Sequence, residues 1–542
     1  MAEKPDQNIP QEDEESHIST EMIAAAEQLI GLTFTDAERE LMPKRLGKHL
    51  AHYDALRQVS LDNSVVPALQ FNPTMGQGSD APKGERMSVE PLPASLPPAT
   101  ANLEALAFYP VSHLAQLIKT KQITSLALTE MYLQRLKRYG PQLECVITLT
   151  EDLALAQARR ADDEITSGRY RGPLHGIPWG AKDLLATKGI PTTWGAMPYK
   201  TQQIETDATV VSRLEEAGAV LVAKLSMGAL AQGDVWFGGK TRSPWNLEEG
   251  SGGSSAGSGA ATATGLVGFA IGTETYGSIV SPATRCGLSA LRPTFGRVSR
   301  YGAMALSWSM DKIGPICRSV EDCALVFAAI HGPDGRDQTV VDAPFAWQPQ
   351  IDLAGLRIGY VKDAFDEERD NKANDDQTLG VLESLGAKLI PIELPDYPLE
   401  AMSLCLWVEA AAAFDELTRS NQDDLLVRQD ETAWPNTFRL ARLIPAVEYV
   451  QANRLRTRLM QSMAHLMERI DLYLAPSFSQ TLLLTNLTGH PAVVVPNGFA
   501  QNDLPTSITF TGRLYDEATL LAVAKAYQDA TDFHLKHPPL KK

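Results

Sequence analysis

The sequence predicts an α/β fold, in which a mixed or parallel β-sheet is covered by helices. From Ala105 onward, long helical stretches alternate with short β-rich runs, and such alternation is typical of a sheet with helices packed on its faces. The length of 542 residues exceeds the usual size of one hydrophobic core, so the chain has room for a large buried site. The β-rich runs are CVITLT, AVLVAK, LRIGYV, AKLIPI, LYLAP and AVVVP.

The N-terminal region predicts a small helical hairpin over residues 19–60. Ser19 or Thr20 can cap a first helix, which a set of periodic apolar positions continues. Thr35 and Glu38 have the spacing of a capping box and precede a second apolar periodicity. Two short helices joined by a turn account for this pattern.

Composition divides the remaining sequence into three parts. Residues 1–18 are acidic and polar and are predicted to form a disordered tail. Residues 61–104 are rich in proline, glycine and serine, which disfavour helix and sheet, so we predict a linker or a wrapping arm. Residues 105–542 contain the α/β pattern and are predicted to be the main domain.

Charge and cysteine usage limit the classes of function. The net charge of −17 repels nucleic acids and anionic membranes, so neither is expected as a direct partner. The N-terminus lacks the basic start and apolar run of a signal peptide, and no later stretch has about 18 uninterrupted apolar residues. The five cysteines are scattered without a CxxC motif, which predicts a reducing compartment and no structural zinc. Together these observations predict a cytoplasmic protein.

The segment Glu249–Gly265, EGSGGSSAGSGAATATG, is the most distinctive stretch of the sequence. It is not followed by the Gly-Lys-Ser/Thr of a phosphate-binding loop. Residues 253–257 match the Gly-x-Ser-x-Gly pattern of an α/β-hydrolase nucleophile at Ser255, but the polar segment before them is a poor strand. A surface loop is the third alternative. Against it, a second glycine-serine turn follows at Gly277 and Ser278, after one small-residue helix and one apolar run.

Four blocks of the sequence resemble the amidase signature family and occur in that family's order. The resemblance covers most of the span from Leu103 to Phe533. It implies the amidase signature fold, a mixed central sheet covered by helices on both faces, and makes residues 105–542 the catalytic domain. The blocks are GPLHGIPWGAKD, GSGGSSAGSGAATATG, GTETYGSIVSPATRCG and LRPTFGRVSRYGAMALSWSMDKIGP.

The resemblance implies a catalytic triad of Lys182, Ser254 and Ser278. In the family, a glycine-serine loop supplies a serine held in a cis peptide, and a second serine further along the chain is the nucleophile. Their spacing assigns these roles to Ser254 and Ser278. The family's base is a lysine, here Lys182, and no histidine lies in either serine turn. A lysine acts as a base only when it is neutral, so the pocket is expected to be buried and dry.

The expected reaction is acyl transfer through a proton relay. Lys182 draws a proton from Ser254, Ser254 draws one from Ser278, and Ser278 attacks the carbonyl to give an acyl-enzyme. Reversal of the relay protonates the leaving amine. The oxyanion is expected to be stabilised by the backbone N–H groups of Thr275, Tyr276, Gly277 and Ser278.

Two further residues are predicted to support this site. Ser255 is expected either to orient Lys182 or Ser254 by hydrogen bonding or to be an ordinary loop hydroxyl. Asp311, in SMDKIGP, matches a recurring family position and is expected to support its loop rather than to touch the substrate.

Two other residues compete for the same roles. Lys224 also ends an apolar strand and rivals Lys182 as the base, although a helix-start or surface lysine is the favoured interpretation. His175 is predicted to be a structural hydrogen-bonding residue rather than a catalyst.

Three positions depart from the commonest family sequence, all near the expected acyl group. Ala256 replaces a glycine after the double serine, Tyr276 occupies a position that is often glycine, and Val280 stands where arginine is frequent. Tyr276 is expected to narrow the acyl side, to offer its phenol to a ligand, or to be a packing aromatic.

The N-terminal hairpin and the arm after it, residues 21–73, are similar to the C subunit of the glutamyl-tRNA(Gln) amidotransferase. In that enzyme the C subunit wraps the catalytic subunit, which belongs to the amidase signature family. The resemblance implies that this chain contains its own clamp by fusion; the alternative is that the hairpin is only a pair of docking helices.

The main functional prediction is a stand-alone amidase that hydrolyses a carboxamide or related C–N acyl bond, a linear amide rather than a peptide bond. The first alternative is a glutaminase subunit that delivers ammonia to a partner acting on aminoacylated tRNA. The second is a non-catalytic scaffold descended from an amidase. The expected partner is a small-molecule amide, no cofactor or metal is expected, and a homodimer is left open.

Overall fold

The computed structural model describes residues 18–59, 61–65, 69–74 and 102–539. The predicted tail, residues 1–18, lies outside these ranges apart from Ile18, and so does most of the predicted linker, residues 61–104. The division of the chain into domains stays a prediction.

A mixed sheet of 11 strands forms the centre of the fold. The strands of the described residues are β1 Val146–Leu149, β2 Pro178–Lys182, β3 Val220–Leu225, β4 Val235–Trp236, β5 Gly239–Lys240, β6 Phe269–Glu274, β7 Ser289–Arg292, β8 Lys312–Cys317, β9 Arg357–Val361, β10 Lys388–Ile392, β11 Leu472–Pro476, β12 Ala492–Phe499 and β13 Pro505–Gly512. The sheet has the order β1-β3-β2-β6-β8-β7-β12-β13-β11-β9-β10, and β4 pairs with β5 separately. Neighbours are parallel at β3-β2-β6 and at β11-β9-β10 and antiparallel elsewhere.

Helices flank this sheet. In the described residues they are α1 Thr20–Ile30, α2 Asp36–Glu40, α3 Pro43–Arg57, α4 Val111–Lys119, α5 Ser125–Leu143, α6 Glu151–Thr166, α7 Thr209–Glu216, α8 Ala256–Ala263, α9 Val280–Cys286, α10 Val320–Ile330, α11 Lys362–Asp366, α12 Lys372–Ser384, α13 Leu399–Met402, α14 Leu404–Ala413, α15 Asp415–Arg419, α16 Trp434–Ala441, α17 Ala446–Arg469, α18 Thr481–Thr488 and α19 Glu517–Asp529. The predicted α/β class is confirmed.

All six β-rich runs are strands, namely β1, β3, β9, β10, β11 and β12. The periodicity did not reveal β2, β6, β7, β8 or β13. The first two of these have the sequences PWGAK and FAIGTE, in which every residue is buried. A strand buried on both faces has no alternation of polar and apolar residues, so it lacks the pattern that marks half-exposed strands.

The predicted N-terminal helices are present, with one correction. Ser19 caps α1 through its hydroxyl, which accepts from the N–H of Met22, and Thr35 with Glu38 forms the predicted capping box. The second helix is divided, because α2 ends before Pro43 and α3 begins there. Proline favours the first turn of a helix and disrupts its interior. A Glu27–Arg39 ion pair at 2.8 Å joins α1 to α2.

The middle of the sheet positions the residues that matter for chemistry. Strands β2 and β6 are parallel neighbours, with Ala181 paired to Ile271. Lys182 ends β2, and β6 ends at Glu274, four residues before Ser278. Because carboxyl ends of parallel strands meet at one edge of a sheet, these two segments of the chain become adjacent.

Candidate active site

The Lys182 amine lies at the centre of a cluster of hydroxyl groups. Its side chain is 0% exposed. The Nζ atom lies 2.8 Å from Ser254 Oγ, 3.0 Å from Ser255 Oγ and 2.8 Å from Thr273 Oγ1, and 3.3 Å from the Thr273 carbonyl oxygen. Hydroxyl groups from the glycine-serine loop and from β6 therefore surround the amine at the end of β2.

Burial sets the charge of this amine. It lowers the pKa of Lys182 from 10.5 to about 7, although the negative charges of Asp311 and Glu274 act in the opposite direction. Near neutral pH a substantial fraction of Lys182 is therefore unprotonated and able to accept a proton.

Ser255 is oriented by the backbone of β6. Its hydroxyl donates to the Thr273 carbonyl at 3.1 Å and accepts from the Thr273 N–H at 3.1 Å. Since its one proton is used in this way, Ser255 can only accept a hydrogen bond from Lys182. Ser255 is thus placed to orient the amine, while the Ser254 hydroxyl is free to give its proton to it.

Ser254 follows a cis peptide bond, Gly253–Ser254. A Cβ at position 253 would lie 1.9 Å from the Gly233 carbonyl oxygen, so only glycine fits at this point of the loop. The Ser254 carbonyl in turn accepts from the Gly228 N–H at 3.3 Å. The glycines of this loop therefore permit close backbone approach, and the loop is packed rather than a free surface turn.

Ser278 lies in the turn between β6 and α9 and is 7% exposed. Its carbonyl accepts from the Ser255 N–H at 3.2 Å, which joins the two serine turns. Within the described residues, the Ser278 and Ser254 hydroxyls do not hydrogen-bond to each other. Gly277 has φ +84°, a conformation that glycine adopts readily.

The turn before Ser278 presents unused backbone donors. In the part of the chain that the structure describes, four successive N–H groups have no protein acceptor within hydrogen-bond distance, those of Thr275, Tyr276, Gly277 and Ser278. The next two N–H groups, of Ile279 and Val280, donate instead to Glu274. The free donors are thus confined to the positions expected for an oxyanion hole.

Glu274 fixes the chain on both sides of this turn. One carboxylate oxygen accepts from Ile279 and Val280, at 2.8 and 3.0 Å, and the other from Arg292 and Asn486, both at 2.8 Å. Burial alone would raise the pKa of Glu274, but the charge and hydrogen bond of Arg292 and the Val280 N–H lower it to about 2. Glu274 is ionised at neutral pH and ties the start of α9 to the sheet.

Asp311 connects the turn to a neighbouring loop. One carboxylate oxygen accepts from the Thr275 hydroxyl at 2.6 Å, and the other from the N–H groups of Leu306 and Ser307 at 2.8 and 3.0 Å. All of these partners belong to the protein. This arrangement agrees with a supporting role for Asp311.

The rival residues are held in other contacts. Lys224 is buried and forms an ion pair with Asp183 at 2.9 Å, so the interpretation as a helix-start or surface lysine was wrong. Its amine also donates to Thr192 at 3.0 Å. His175 accepts from the Arg171 N–H at 3.1 Å, and burial lowers its pKa to about 4. The structural interpretation of His175 is confirmed.

The three departures from the family pattern lie in different surroundings. Ala256 and Val280 are buried at the first residues of α8 and α9. Tyr276 is 40% exposed, and its role stays a prediction.

Two residues that converge on the site were not predicted. Thr273 contacts Lys182, and Glu274 holds the turn of Ser278. Both belong to the block GTETYGS. The available signal was the polar content of a strand that is otherwise apolar, because buried polar groups need partners.

Comparison with known families decides the assignment. The profile of the family described as Amidase matches residues 127–484. The chain belongs to the amidase signature family. The resemblance seen in the four sequence blocks is thereby confirmed. Membership of the amidase signature family makes the chain a hydrolase of C–N bonds.

Relatives of this amidase signature chain include the A subunit of the glutamyl-tRNA(Gln) amidotransferase of Marinomonas sp. (strain MWYL1). It is 34% identical over 481 residues, which cover 80% of this chain and 99% of the relative. Among solved structures, the native peptide amidase from Stenotrophomonas maltophilia is 31% identical with a TM-score of 0.71, covering 81% of this chain and 99% of that one. The peptide amidase PAM in complex with the competitive inhibitor chymostatin is also 31% identical, with a TM-score of 0.72. That comparison covers 80% of this chain and 100% of the peptide amidase.

Neither a metal site nor a membrane span is found in the described residues. No group of three or more His, Cys, Asp or Glu is placed there to hold a metal ion. Every helix in those ranges is too short or too polar to cross a membrane.

Loss of the buried Glu274–Arg292 pair is expected to destabilise the protein. Replacing Glu274 by glutamine leaves the Arg292 charge buried and unpaired, which costs about 3–5 kcal/mol of unfolding free energy. Denaturant unfolding at neutral pH measures this effect. The pair's contribution in the unaltered protein is expected to persist above pH 4.5 and to be lost as the pH falls towards 2.

The matched control is Glu249→Gln. Glu249 pairs with Arg285 at 3.5 Å on the surface, and exposed pairs contribute about 0–1 kcal/mol. Equal effects of the two substitutions would contradict the role assigned to Glu274.

Proposed function

We propose that the protein is a stand-alone amidase that acts on linear amides through Lys182, Ser254 and Ser278. The observation that supports this most is the contact of Lys182 with Ser254 inside a buried hydroxyl cluster. The Ser255 hydroxyl donates its proton to the Thr273 carbonyl and only accepts from Lys182. Ser254 is therefore the one serine next to Lys182 whose proton is available to the amine. A base, a relay hydroxyl and a nucleophile are the parts that acyl transfer requires.

The proposed reaction consists of two acyl transfers, first from the amide to Ser278 and then from Ser278 to water. As Lys182 takes the Ser254 proton, Ser254 takes the Ser278 proton, and the Ser278 oxygen bonds to the carbonyl carbon. The free N–H groups of the turn stabilise the oxyanion. The proton then returns through Ser254 to the leaving nitrogen as the C–N bond breaks. Water adds to the acyl-enzyme by the same relay, releasing the acid and restoring Ser278.

The absence of a Ser254–Ser278 hydrogen bond in the described residues is compatible with this relay. Catalytic hydrogen bonds are often long in unliganded enzymes and shorten when substrate is bound. The Ser255 N–H contact with the Ser278 carbonyl keeps the two turns adjacent. In the proposed relay, the Ser278 hydroxyl donates to Ser254 once substrate is bound.

The N-terminal arm supports a self-contained enzyme over a partner-dependent subunit. Its described segments, residues 61–65 and 69–74, contact the catalytic domain of the same chain. Asn63 bonds to Ala305, and the Phe71 ring meets the Phe295 ring edge-on at 5.0 Å. The catalytic domain is therefore already in contact with an arm of its own chain.

A cavity of about 590 Å³ borders the turn at Tyr276 and is the proposed site for the variable part of the substrate. Aromatic and apolar side chains form much of its lining, and Glu400 is the only charged residue among the described residues that line it. We therefore expect neutral or cationic substrates to bind better than anionic ones, since a carboxylate would face Glu400 across a partly apolar space. The lining residues are Tyr276, Tyr397, Pro398, Leu399, Glu400, Ala401, Phe478, Ser479, Gln480 and Leu483.

The test is ammonia or amine release by the purified full chain without any partner. The panel contains glutamine, an anilide, a fatty amide, a carbamate and a peptide amide, plus one neutral amide matched with its carboxylate-bearing analogue. We expect release from at least one neutral substrate, a lower kcat/KM for the anionic analogue, and no release with Ser278→Ala.

The alternatives predict different outcomes. A glutaminase subunit would be silent on the whole panel, yet its Ser278 would still react with a fluorophosphonate. A non-catalytic scaffold would give neither release nor labelling. Either result overturns the stand-alone amidase.

A further inference from the structure

We propose that the N-terminal arm positions the oxyanion turn, with Asn63 as the positioning residue. This inference rests on the proposed function, since it concerns how the turn before Ser278 is held for that reaction. The arm is remote in sequence from the catalytic residues, and hydrogen bonds on the catalytic domain connect it to them.

Asn63 binds both backbone groups of one catalytic-domain residue. Its side-chain amide donates to the Ala305 carbonyl at 2.9 Å and accepts from the Ala305 N–H at 2.7 Å. The same amide nitrogen lies 3.4 Å from the Ala413 carbonyl oxygen. A paired donor and acceptor on one residue fixes both the position and the orientation of the backbone there.

The residues after Ala305 continue this contact to the turn. The N–H groups of Leu306 and Ser307 donate to Asp311, whose other oxygen accepts from the Thr275 hydroxyl. Thr275 is the first of the four free donors before Ser278. The path from the arm to the oxyanion turn therefore consists of Asn63, one loop backbone and one carboxylate.

Phe71 gives the arm a second anchor on the same loop. Its ring centre lies 3.8 Å from the guanidinium carbon of Arg456. Arg456 is buried and donates to the hydroxyl and the carbonyl oxygen of Ser309, at 2.8 and 2.9 Å. The arm thus holds the loop of residues 300–311 directly at Ala305, through Asn63, and indirectly at Ser309, through Phe71 and Arg456.

The same loop also contacts the segment of the catalytic base. The Met304 N–H donates to the Leu184 carbonyl at 3.1 Å, two residues after Lys182. The loop therefore lies against the segment of the base and, through Asp311, against the turn of the nucleophile. A displacement of this loop would therefore move both the segment of the base and the turn of the nucleophile.

A cavity of about 260 Å³ lies between the arm and this loop. Removal of the arm contacts would widen this cavity beside Thr275 and Asp311, and the added water would compete for the hydrogen bonds of Asp311. The arm side is lined by Asn63, Ser64, Leu69 and Gln70, and the catalytic side includes Thr273, Thr275, Asp311 and Lys312.

The test compares Asn63→Ala with the unaltered full chain on a substrate from the panel above. Misplacement of catalytic groups by about 1 Å can lower rates by about 10²-fold. We expect kcat to fall about 10- to 100-fold with KM unchanged. We also expect the labelling rate of Ser278 by a fluorophosphonate to fall in parallel, because the phosphoryl oxygen of that reagent requires the same N–H donors.

Two further variants separate positioning from folding. Asn63→Asp keeps an acceptor for the Ala305 N–H but loses the donor, so its kcat should lie between those of the alanine variant and the unaltered chain. Ser64→Ala, in the same turn of the arm, is expected to leave kcat unchanged. The melting temperature of each variant records any loss of stability.

Each outcome has a defined meaning. An unchanged kcat in Asn63→Ala overturns the inference, and so does a loss of activity that only follows the fraction of unfolded protein. A raised KM at constant kcat overturns it as well, since that would assign Asn63 to substrate binding. If the unaltered chain itself does not turn over the panel, with or without labelling of Ser278, the proposed function has failed instead.

Discussion

Replacing Ser278 by alanine is expected to abolish amide hydrolysis and covalent labelling by a fluorophosphonate. The variant loses the oxygen that forms the acyl bond, while the base and the N–H donors remain. Removal of a nucleophile that acts as one unit with its base lowers kcat by about 10⁴- to 10⁶-fold. Amine release measures the first effect, and intact-protein mass spectrometry measures the second.

The matched control is Ser281→Ala, in the first turn of α9. It removes a nearby hydroxyl outside the relay and should retain both activities. Labelling at Ser255 in the unaltered chain would contradict the assignment and would favour an α/β-hydrolase arrangement. The Ser255 contacts with Thr273 argue against this, because they use the Ser255 proton.

Replacing Lys182 by methionine is expected to lower kcat by about 10²- to 10⁴-fold, the usual contribution of a general base. Methionine keeps the length and the apolar stem of the lysine, so the packing changes little. In the unaltered enzyme, activity should rise with pH through about 7 and level off above it, because deprotonation produces the active form of Lys182. The pH profile of kcat/KM tests this, and the rising limb should be lost in Lys182→Met.

Lys188→Met serves as the control, since Lys188 is an exposed lysine on the segment after the base. It should leave both the rate and the pH profile unchanged. A profile that falls steadily above neutral pH would exclude Lys182 as the base. If the rising limb persists in Lys182→Met, Lys224 becomes the candidate base, although it forms an ion pair with Asp183.

The sequence was sufficient for the fold class and for the segments that form the site. Strands such as AVLVAK and AVVVP are continuous apolar runs of ordinary strand length, and each is a strand. The motif blocks indicated Lys182, Ser254 and Ser278, and the structure places Lys182 against Ser254. The motifs are informative because some of their residues are required by the backbone geometry. Gly253 is an example, since a side chain at this position would collide with the Gly233 carbonyl oxygen.

Other features depend on pairings between distant parts of the chain. Lys224 was interpreted as a helix-start or surface residue because its partner, Asp183, directly follows a strand that the periodicity did not reveal. Asn63 lies in a region whose composition is typical of a linker, and its partner Ala305 has no distinctive side chain. A hydrogen bond to a backbone leaves no mark on the residue that receives it, so such contacts are invisible before the fold is known.

In the proposed mechanism, the enclosure of Lys182 also protects this amine from the acyl-enzyme intermediate. A neutral amine beside an activated ester is itself a good nucleophile, and transfer of the acyl group to that nitrogen would give a stable amide and a dead protein. The Lys182 nitrogen is surrounded by Ser254, Ser255 and Thr273 and is 0% exposed, whereas Ser278 is 7% exposed. In the proposed mechanism, the Ser254 hydroxyl passes protons between Lys182 and Ser278 while it keeps the acyl carbon away from the Lys182 nitrogen. The proposed relay of two serines would therefore insulate the lysine base from acylation.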